Sequence, residues 1–293
     1  MGPGDRLTHD PAPLLRWWEG RRRDLPWRRT RDPWEVLVCE VMAQQTQVAR
    51  VAERWGPFLE RFPTVEAAAA APVAELIRAW SGLGYNRRAV LLHRCATAVV
   101  EEHGGAFPRS LPALLALPGI GPYTARAVLA FAFEADAAVV DTNTARVLAR
   151  WSGHRLTPAQ AQAAADAALP AGRAWAWNQA MLDLGATVCT RRQPRCGACP
   201  VTARCGWARA GWPPPDPADG SAGVSVPQAR FAGSDREGRG RILAALSSVE
   251  SVPEADLPAV AGWPDDPARA ARVLAGLVRD GLVVARDGRI SLP

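Results

Sequence analysis

The sequence predicts a mainly α fold that ends in a small α+β module. Three observations carry this expectation. Apolar residues recur at helical spacing from about Leu14 to Leu184, and nothing there alternates as a strand does. Four cysteines, Cys189, Cys196, Cys199 and Cys205, crowd together directly after that run. A proline-rich stretch, Pro213 to Gly220, then leads into a segment of different pattern: three short helical runs, followed by two extended runs around Asp287-Gly288.

Residues 1–10 read as a loose tail, and Leu14-Leu15-Arg16-Trp17-Trp18 opens a short amphipathic helix ending near Gly20. Asp32-Pro33 is a helix start, with Asp as N-cap, Pro in the first turn and Glu35 at the third position. Breaks at Pro63, Pro72, Gly82–Gly84, Gly104-Gly105, Gly119/Gly121 and Pro170 divide the chain from there to Leu184 into successive helices. The stretch Leu117-Pro118-Gly119-Ile120-Gly121 reads as a tight turn that needs its two glycines. Pro122 then opens a helix whose free N–H groups suit a phosphate. An apolar run, Ala125 to Phe133, and a short apolar segment, Ala137 to Val140, deliver a single carboxylate, Asp141. After a linker at 213–227, residues 228–293 read as a winged-helix-like module. Its helices fall at Arg239–Leu246, Glu254–Val260 and Ala268–Arg279. Its hairpin pairs Leu282–Arg286 with Arg289–Leu292 through a type I′ turn. The third helix and wing either meet DNA or pack against protein.

The chain has 293 residues, 48% of them apolar, enough for a sizeable core. No apolar run approaches the ~18 residues of a membrane span, so the expectation is a soluble, cytoplasmic protein. All 35 basic residues are arginine; without lysine, Schiff-base chemistry on a side-chain amine is excluded. Up to Trp212 there are 26 Arg against 18 acidic residues, a net of +8, whereas from Val224 onward nine meet nine. The long N-terminal part is therefore the expected polyanion binder.

Glu40 sits inside the apolar run Val36–Ala43, where a carboxylate is costly unless paired or protonated. It is either bonded to a structural arginine or raised in pKa to act as a proton donor. Asp141 is either the N-cap of the next helix or a catalytic carboxylate. Two such acids suit N-glycosidic cleavage, whose transition state resembles an oxocarbenium ion. The cysteine spacing, C-x6-C-x2-C-x5-C, implies a metal centre, zinc or an iron–sulfur cluster. Arg191, Arg192 and Arg195 lie in its first loop, placed for phosphate contact. Gln44-Gln45-Thr46-Gln47 is either a solvated helix end or a wedge that fills the hole left by an extruded nucleotide. Tyr85 is either a half-buried aromatic or a stacking platform. Cys39 and Cys95, on apolar helical runs, read as core.

These motifs together resemble the helix-hairpin-helix DNA glycosylases with an iron–sulfur cluster, and within them the MutY-type adenine glycosylases. The resemblance covers about Leu14 to Trp212. It rests on LPWR at 25–28, EVMAQQTQV at 40–48, GLGY at 82–85, LPGIGPYTA at 117–125, VVDTNTARVLAR at 139–150, NQAMLDLGATVC at 178–189 and the four cysteines. It implies a two-lobed glycosylase core at 11–212: a helical barrel lobe at 33–137, and a cluster lobe formed by 11–32 with 138–212, the active site lying in the cleft. It implies a [4Fe-4S] cluster on the four cysteines, DNA carrying a mispaired or damaged base as the partner, and action as a monomer at the nucleoid.

By the same resemblance Glu40 protonates the purine, Asp141 stabilises the oxocarbenium-like sugar, and Asn143 supports Asp141 or the water. Tyr123 takes the place of the catalytic lysine of bifunctional relatives similar to endonuclease III, implying an enzyme without lyase activity. Gln179, Trp27, Arg28 and Ala43 line the adenine pocket; Gln44, Gln45 and Tyr85 enter the duplex; Gly119, Gly121 and Thr124 grip the backbone. The implied reaction removes adenine mispaired with 8-oxoguanine or guanine. A thymine/uracil mismatch glycosylase and a non-catalytic damage-binding protein are the alternatives. The sequence departs from the family pattern at Ala43 (for leucine), Thr142 (for glycine) and Asn86 (for an aromatic), and its C-terminal module is too short for the usual Nudix-like domain.

Overall fold

The computed structural model describes residues 10–221 and 230–293; the expected tail at 1–9 and the end of the expected linker at 222–227 lie outside them. In chain order the helices are α1 (Ala12–Glu19), α2 (Pro33–Ala43), α3 (Val48–Arg61), α4 (Val65–Ala70), α5 (Val73–Ala79), α6 (Arg87–His103), α7 (Leu111–Ala116), α8 (Pro122–Phe131), α9 (Thr142–Ser152), α10 (Pro158–Ala168), α11 (Ala174–Thr187) and α12 (Gly206–Arg209). The C-terminal module adds α13 (Asp235–Ser248), β1 (Ser251–Pro253), α14 (Leu257–Ala261), α15 (Pro267–Arg279), β2 (Val284–Arg286) and β3 (Arg289–Ser291). The fold is mainly helical, as the sequence predicts. No helix among the described residues is long and apolar enough to cross a membrane.

Helix starts obey local chemistry. Asp32 Oδ1 accepts from the N–H groups of Trp34 (2.8 Å) and Glu35 (3.0 Å), fixing the start of α2. Thr157 and Gln160 form a reciprocal capping box on α10. Asp266 caps α15 through Arg269 N.

The described residues divide into two units: 10–36, 109–112 and 121–221; and 37–108, 113–120 and 230–293. The core of the first joins Leu14 and Trp18 of α1 to Val147, Leu148 and Trp151 of α9 and to Trp177, Met181 and Leu184 of α11. Each side chain of this size stabilises by roughly 1.5–3 kcal/mol when fully buried. The proline-rich stretch folds back onto this unit over 213–221. The Asp216 carboxylate pairs with the buried Arg150 guanidinium (2.6 Å), and Ser221 Oγ accepts from Leu156 N (3.0 Å).

In the second unit Leu37, Val38 and Met42 of α2, Val51 and Phe58 of α3, Leu76 and Ile77 of α5 and Leu92 and Val99 of α6 are buried. The C-terminal module buries Ile242, Leu243 and Leu246 of α13 together with Ala270, Val273, Leu274 and Leu277, the i, i+3, i+4, i+7 stripe of α15. Asp287 (φ +49°) and Gly288 (φ +67°) make the expected type I′ turn between β2 and β3. The sheet has a third strand that the sequence did not suggest. β1 pairs antiparallel with β3, Val252 opposite Ile290, in the order β1-β3-β2. Ser-Val-Pro is short and ends in a residue that cannot donate, which suits an edge strand and leaves almost no pattern to read. Leu282 and Val283 precede β2 as buried residues, with Leu282 N bonded to Leu277 O (3.0 Å).

Of the two glycines in the turn Leu117–Gly121, only Gly119 is required by the backbone. Its φ is +77°, and a Cβ there would lie 2.8 Å from Leu91 Cβ. Gly121 is extended (φ −94°, ψ 174°) with open space around it. The expectation that both glycines shape the turn is corrected accordingly.

One side chain organises the second unit. Arg88, on α6 and only 8% exposed, donates to the carbonyls of Val41 (2.7 Å), Met42 (2.9 Å) and Gln44 (2.6 Å) at the end of α2. Its other nitrogens reach Thr46 Oγ1 (3.0 Å) and the carbonyls of Leu83 (3.2 Å), Gly84 (2.9 Å) and Tyr85 (3.3 Å). Burial lowers its pKa to about 10, the Tyr85 phenol opposing the shift, so it stays charged at neutral pH. We expect Arg88→Met to lower stability by about 3 kcal/mol, because several buried carbonyls lose their donor together. Arg88→Lys should recover only part of this, since an ammonium cannot span both segments. Urea midpoints check both; a loss below 1 kcal/mol for Arg88→Met (about the value of a single hydrogen bond) would refute the staple.

Candidate active site and cysteine centre

In the first unit, Ala137 to Val139 run buried, outside any helix or strand, toward Asp141. Asn178 of α11 fixes this segment: its Oδ1 accepts from Val139 N, and its Nδ2 donates to the Ala137 and Ala174 carbonyls, each at 2.9 Å. Asp141 is the N-cap of α9, Oδ1 accepting from Thr144 N at 2.6 Å. Its second oxygen accepts from Asn143 Nδ2 at 2.8 Å. Capping thus takes one carboxylate oxygen, and Asn143 engages the other.

Asn143 is held in turn. Its Oδ1 accepts from Arg146 Nη2 (2.8 Å), and Arg146 also donates to the carbonyls of Gly185 (2.7 Å) and Cys189 (2.8 Å). A Cβ on Gly185 would lie 2.6 Å from Asn143 Cβ, so α9 and α11 meet this closely only over glycine. Burial lowers the Arg146 pKa, with Cys189 and Asp141 opposing it and the like charges of Arg150 and Arg191 adding to it. The sequence named Asp141 and Asn143, which the structure places in hydrogen-bond contact, but gave no role to Asn178 or Arg146. The available signal was a polar residue on an otherwise apolar helix stripe.

Arg28 and Gln179 are also brought together in this unit. Arg28 Nε donates to Gln179 Oε1 at 2.7 Å. Its two terminal nitrogens fork onto Asp183 at 2.9 and 2.8 Å, and Arg23 Nε (2.5 Å), Arg23 N (3.3 Å) and Trp18 Nε1 (3.0 Å) also donate to that carboxylate. Trp27 is half-buried on the same short turn, Pro26–Arg29. Asp183, fully buried and also missed, is the hub. Burial would raise its pKa, but hydrogen bonds and charge from Arg28 and Arg23 hold it below the usual carboxylate range.

Tyr123 is half-buried and Thr124 buried in the first turn of α8, whose N-cap, Gly121, contributes no side-chain cap. In the second unit, Glu40 is 8% exposed on α2, and Ala43, its last residue, is half-buried. Gln44 is half-buried and Gln45 exposed; Tyr85 is 40% exposed. Gln45 (φ +55°) and Tyr85 (φ +47°) both sit in the left-handed region. Non-glycine residues there cost of order 1–3 kcal/mol and persist only when held; Arg88 binds the carbonyl just before each of them.

The four cysteines Cys189, Cys196, Cys199 and Cys205 line one small cavity, walled by Val147, Leu184, Val188 and Val201. Among the described residues no three or more His, Cys, Asp and Glu side chains converge as for a single ion. Arg150 Nη1 donates to Cys189 Sγ at 3.3 Å and to Thr190 O at 2.7 Å. Burial pushes the Cys189, Cys199 and Cys205 thiols up. Arg191 and Arg192 are exposed; Arg195 is exposed too, but its guanidinium bonds the Thr187 carbonyl. Cys39 and Cys95 are buried, Cys95 pushed up to about 12 by burial.

The Asp183 hub gives a test. Its carboxyl binds a proton less readily when folded than when unfolded, so its contribution to stability is complete above the ordinary carboxylate pKa, about 4. That contribution is lost as pH falls from there through the lowered folded value. Asp183→Asn should cost about 3–5 kcal/mol at neutral pH, the penalty for stranding the Arg28 guanidinium, little exposed in the fold, and should flatten the acid limb of the stability profile. An unchanged acid limb would refute the assignment.

Comparison with known proteins extends this picture. The profile of HhH-GPD superfamily base excision DNA repair proteins matches residues 38–170. The adenine DNA glycosylase of Mycolicibacterium smegmatis is 45% identical over 294 aligned residues, covering 98% of this chain and 97% of that protein. The adenine DNA glycosylase of Homo sapiens is 41% identical over 66% of this chain and 38% of its own length. Among solved structures, a thermostable thymine-DNA glycosylase superposes with a TM-score of 0.63 at 31% identity, over 68% of this chain and 94% of that one. Similarity to the bacterial relative runs through the C-terminal module as well as the helical core, and on that basis the chain belongs to the adenine DNA glycosylase family, within the HhH-GPD superfamily.

Proposed function

We propose that this chain hydrolyses the N-glycosidic bond of adenine in duplex DNA, where the adenine is mispaired with 8-oxoguanine or guanine, and leaves the strand uncut. The observation that carries this reading is the near-full-length similarity to an adenine DNA glycosylase, on a chain that keeps a buried glutamate and a helix-capping aspartate at the motif positions. Glu40 donates a proton to the purine. The C1′–N9 bond breaks with its electron pair leaving on adenine, Asp141 stabilises the positive charge left on the sugar, and water adds at C1′. Asn143 holds Asp141 in place. The absence of lysine, with Tyr123 at the position of the lyase lysine, supports hydrolysis without strand scission.

Gln179 and Arg28, tied together and to Asp183, are suited to present a fixed hydrogen-bonding edge to the extruded base, with Trp27 beside them; the pocket role of Ala43 rests on the family resemblance alone. Gln44, Gln45 and Tyr85 fill the space the base leaves, and the strained backbone of Gln45 and Tyr85 is in keeping with that task. The N–H groups opening α8, with Gly119, Gly121 and Thr124, suit a phosphate, as do Arg191, Arg192 and Arg195. The four thiols, set around a common apolar cavity, fit a [4Fe-4S] cluster. Such a cluster would supply a cross-link that pins the Cys189–Cys205 loop, while the acids carry the chemistry. We read residues 11–212 as the working core, acting as a monomer.

Single-turnover assays on duplexes with A opposite 8-oxoguanine, G or C, and T or U opposite G, scored with and without hot alkali, test this reading. Adenine release that favours 8-oxoguanine and needs alkali for a strand break is expected. Glu40→Gln should slow release by about 10²–10⁴-fold. Release of T or U in place of adenine would favour the mismatch-glycosylase alternative, consistent with the thymine-DNA glycosylase likeness. Binding with no release at all would favour a damage sensor.

A further inference from the structure

The second unit holds a groove of about 1090 Å³. One wall is the turn Gln44–Gln47 with the loop Ser81–Tyr85; the other is α13 of the C-terminal module, with Phe231 just before it. The sequence left the third helix and wing of this module either to meet DNA or to pack against protein; no residue of α15, β2 or β3 lines this groove. The module instead turns its first helix toward the segment that carries Gln45 and Tyr85.

The charge along the groove is one-sided, although the module as a whole is neutral. Arg50, Arg87, Arg236 and Arg239 line it, and the one acidic residue lining it among the described residues, Asp280, is bridged by Arg239 and approached by Arg87 at 3.7 Å. Arg236 Nη1 donates to Tyr85 Oη at 3.2 Å, and its guanidinium lies 5.9 Å from the centre of the Phe231 ring. Tyr85 and Phe231 are 40% and 58% exposed, two of the few large apolar side chains left in the open. Exposed rings interleaved with arginines suit a nucleic-acid strand, the rings stacking on bases and the guanidinium groups taking phosphates. An acidic peptide would use the arginines but has no need of the rings.

We propose that α13 and Phe231 form the second wall of a DNA-strand groove whose first wall carries Gln45 and Tyr85, with Arg236 contacting a phosphate and Phe231 a base. The C-terminal module is then a DNA-binding element through its first helix, not through its wing. The inference rests on the proposed glycosylase reading and adds a binding surface to it.

The test is titration of the full chain, by fluorescence anisotropy over a series of salt concentrations, with a short duplex carrying a tetrahydrofuran abasic analogue opposite guanine. Arg236→Ala should weaken binding about tenfold and lower the slope of log K against log salt by about 1. Phe231→Ala should weaken binding by up to about tenfold with the slope unchanged. Arg286→Ala, on the wing, should leave both quantities as in the parent. Thermal melts of all three, matching the parent, establish that they are folded. If Arg236→Ala and Phe231→Ala bind with the parent affinity and slope, the groove assignment is overturned, and adenine release by the parent would show that the glycosylase reading survives. It is equally overturned if Arg286→Ala is the variant that lowers the slope. A parent protein that neither binds this duplex nor releases adenine overturns both readings.

Discussion

Main-chain carbonyls at the ends of buried helices must find donors, and in this chain buried arginines supply them. Arg88 gathers the last carbonyls of α2 and those of the Leu83–Tyr85 loop. Arg146 ties Asn143 to the carbonyls of Gly185 and Cys189. Arg150 joins the Thr190 and Arg191 carbonyls to Asp216. In each case one planar fork answers several acceptors that would otherwise be stranded away from water, at a cost of roughly 1–3 kcal/mol apiece. The segments so held carry Gln45, Tyr85, Asp141 and the cysteines.

A second theme is the double use of carboxylates. Asp141 caps α9 with one oxygen and keeps the other on Asn143. The cap fixes the direction in which the residue leaves the buried segment before it, so a local helix signal and the role proposed for Asp141 fall on one side chain. Asp183 is held entirely by donors from the chain around it. It gathers Trp18, Arg23 and Arg28, and through Arg28 sets the orientation of Gln179.

Much of this was legible in the sequence where the determining groups are close along the chain. Asp32, Asp141 and the Asp287-Gly288 turn act within a few residues of themselves, and the structure has them as read. The apolar stripe of α15 announced its buried face. What escaped depends on partners far apart. Arg88 meets Val41 across 47 positions and Arg28 meets Asp183 across 155, and no local pattern distinguishes such an arginine from its exposed neighbours. Gly121 looked as necessary as Gly119 because a glycine's letter does not reveal its φ; only Gly119 is left-handed. The folded-back stretch 213–221 read as linker because proline-rich composition speaks to stiffness and says nothing of what an aspartate within it will meet.

The discontinuous make-up of the two units bears on biosynthesis. The first unit takes its last described residue at 221, while the second, begun at residue 37, draws on segments that reach Pro293. On a ribosome moving from N- to C-terminus, the unit begun first can be finished first, whereas the second waits for the final helices and strands of the chain. The C-terminal module, made last of the described segments, therefore joins α2 to α6 only after the intervening first-unit segments have been synthesised.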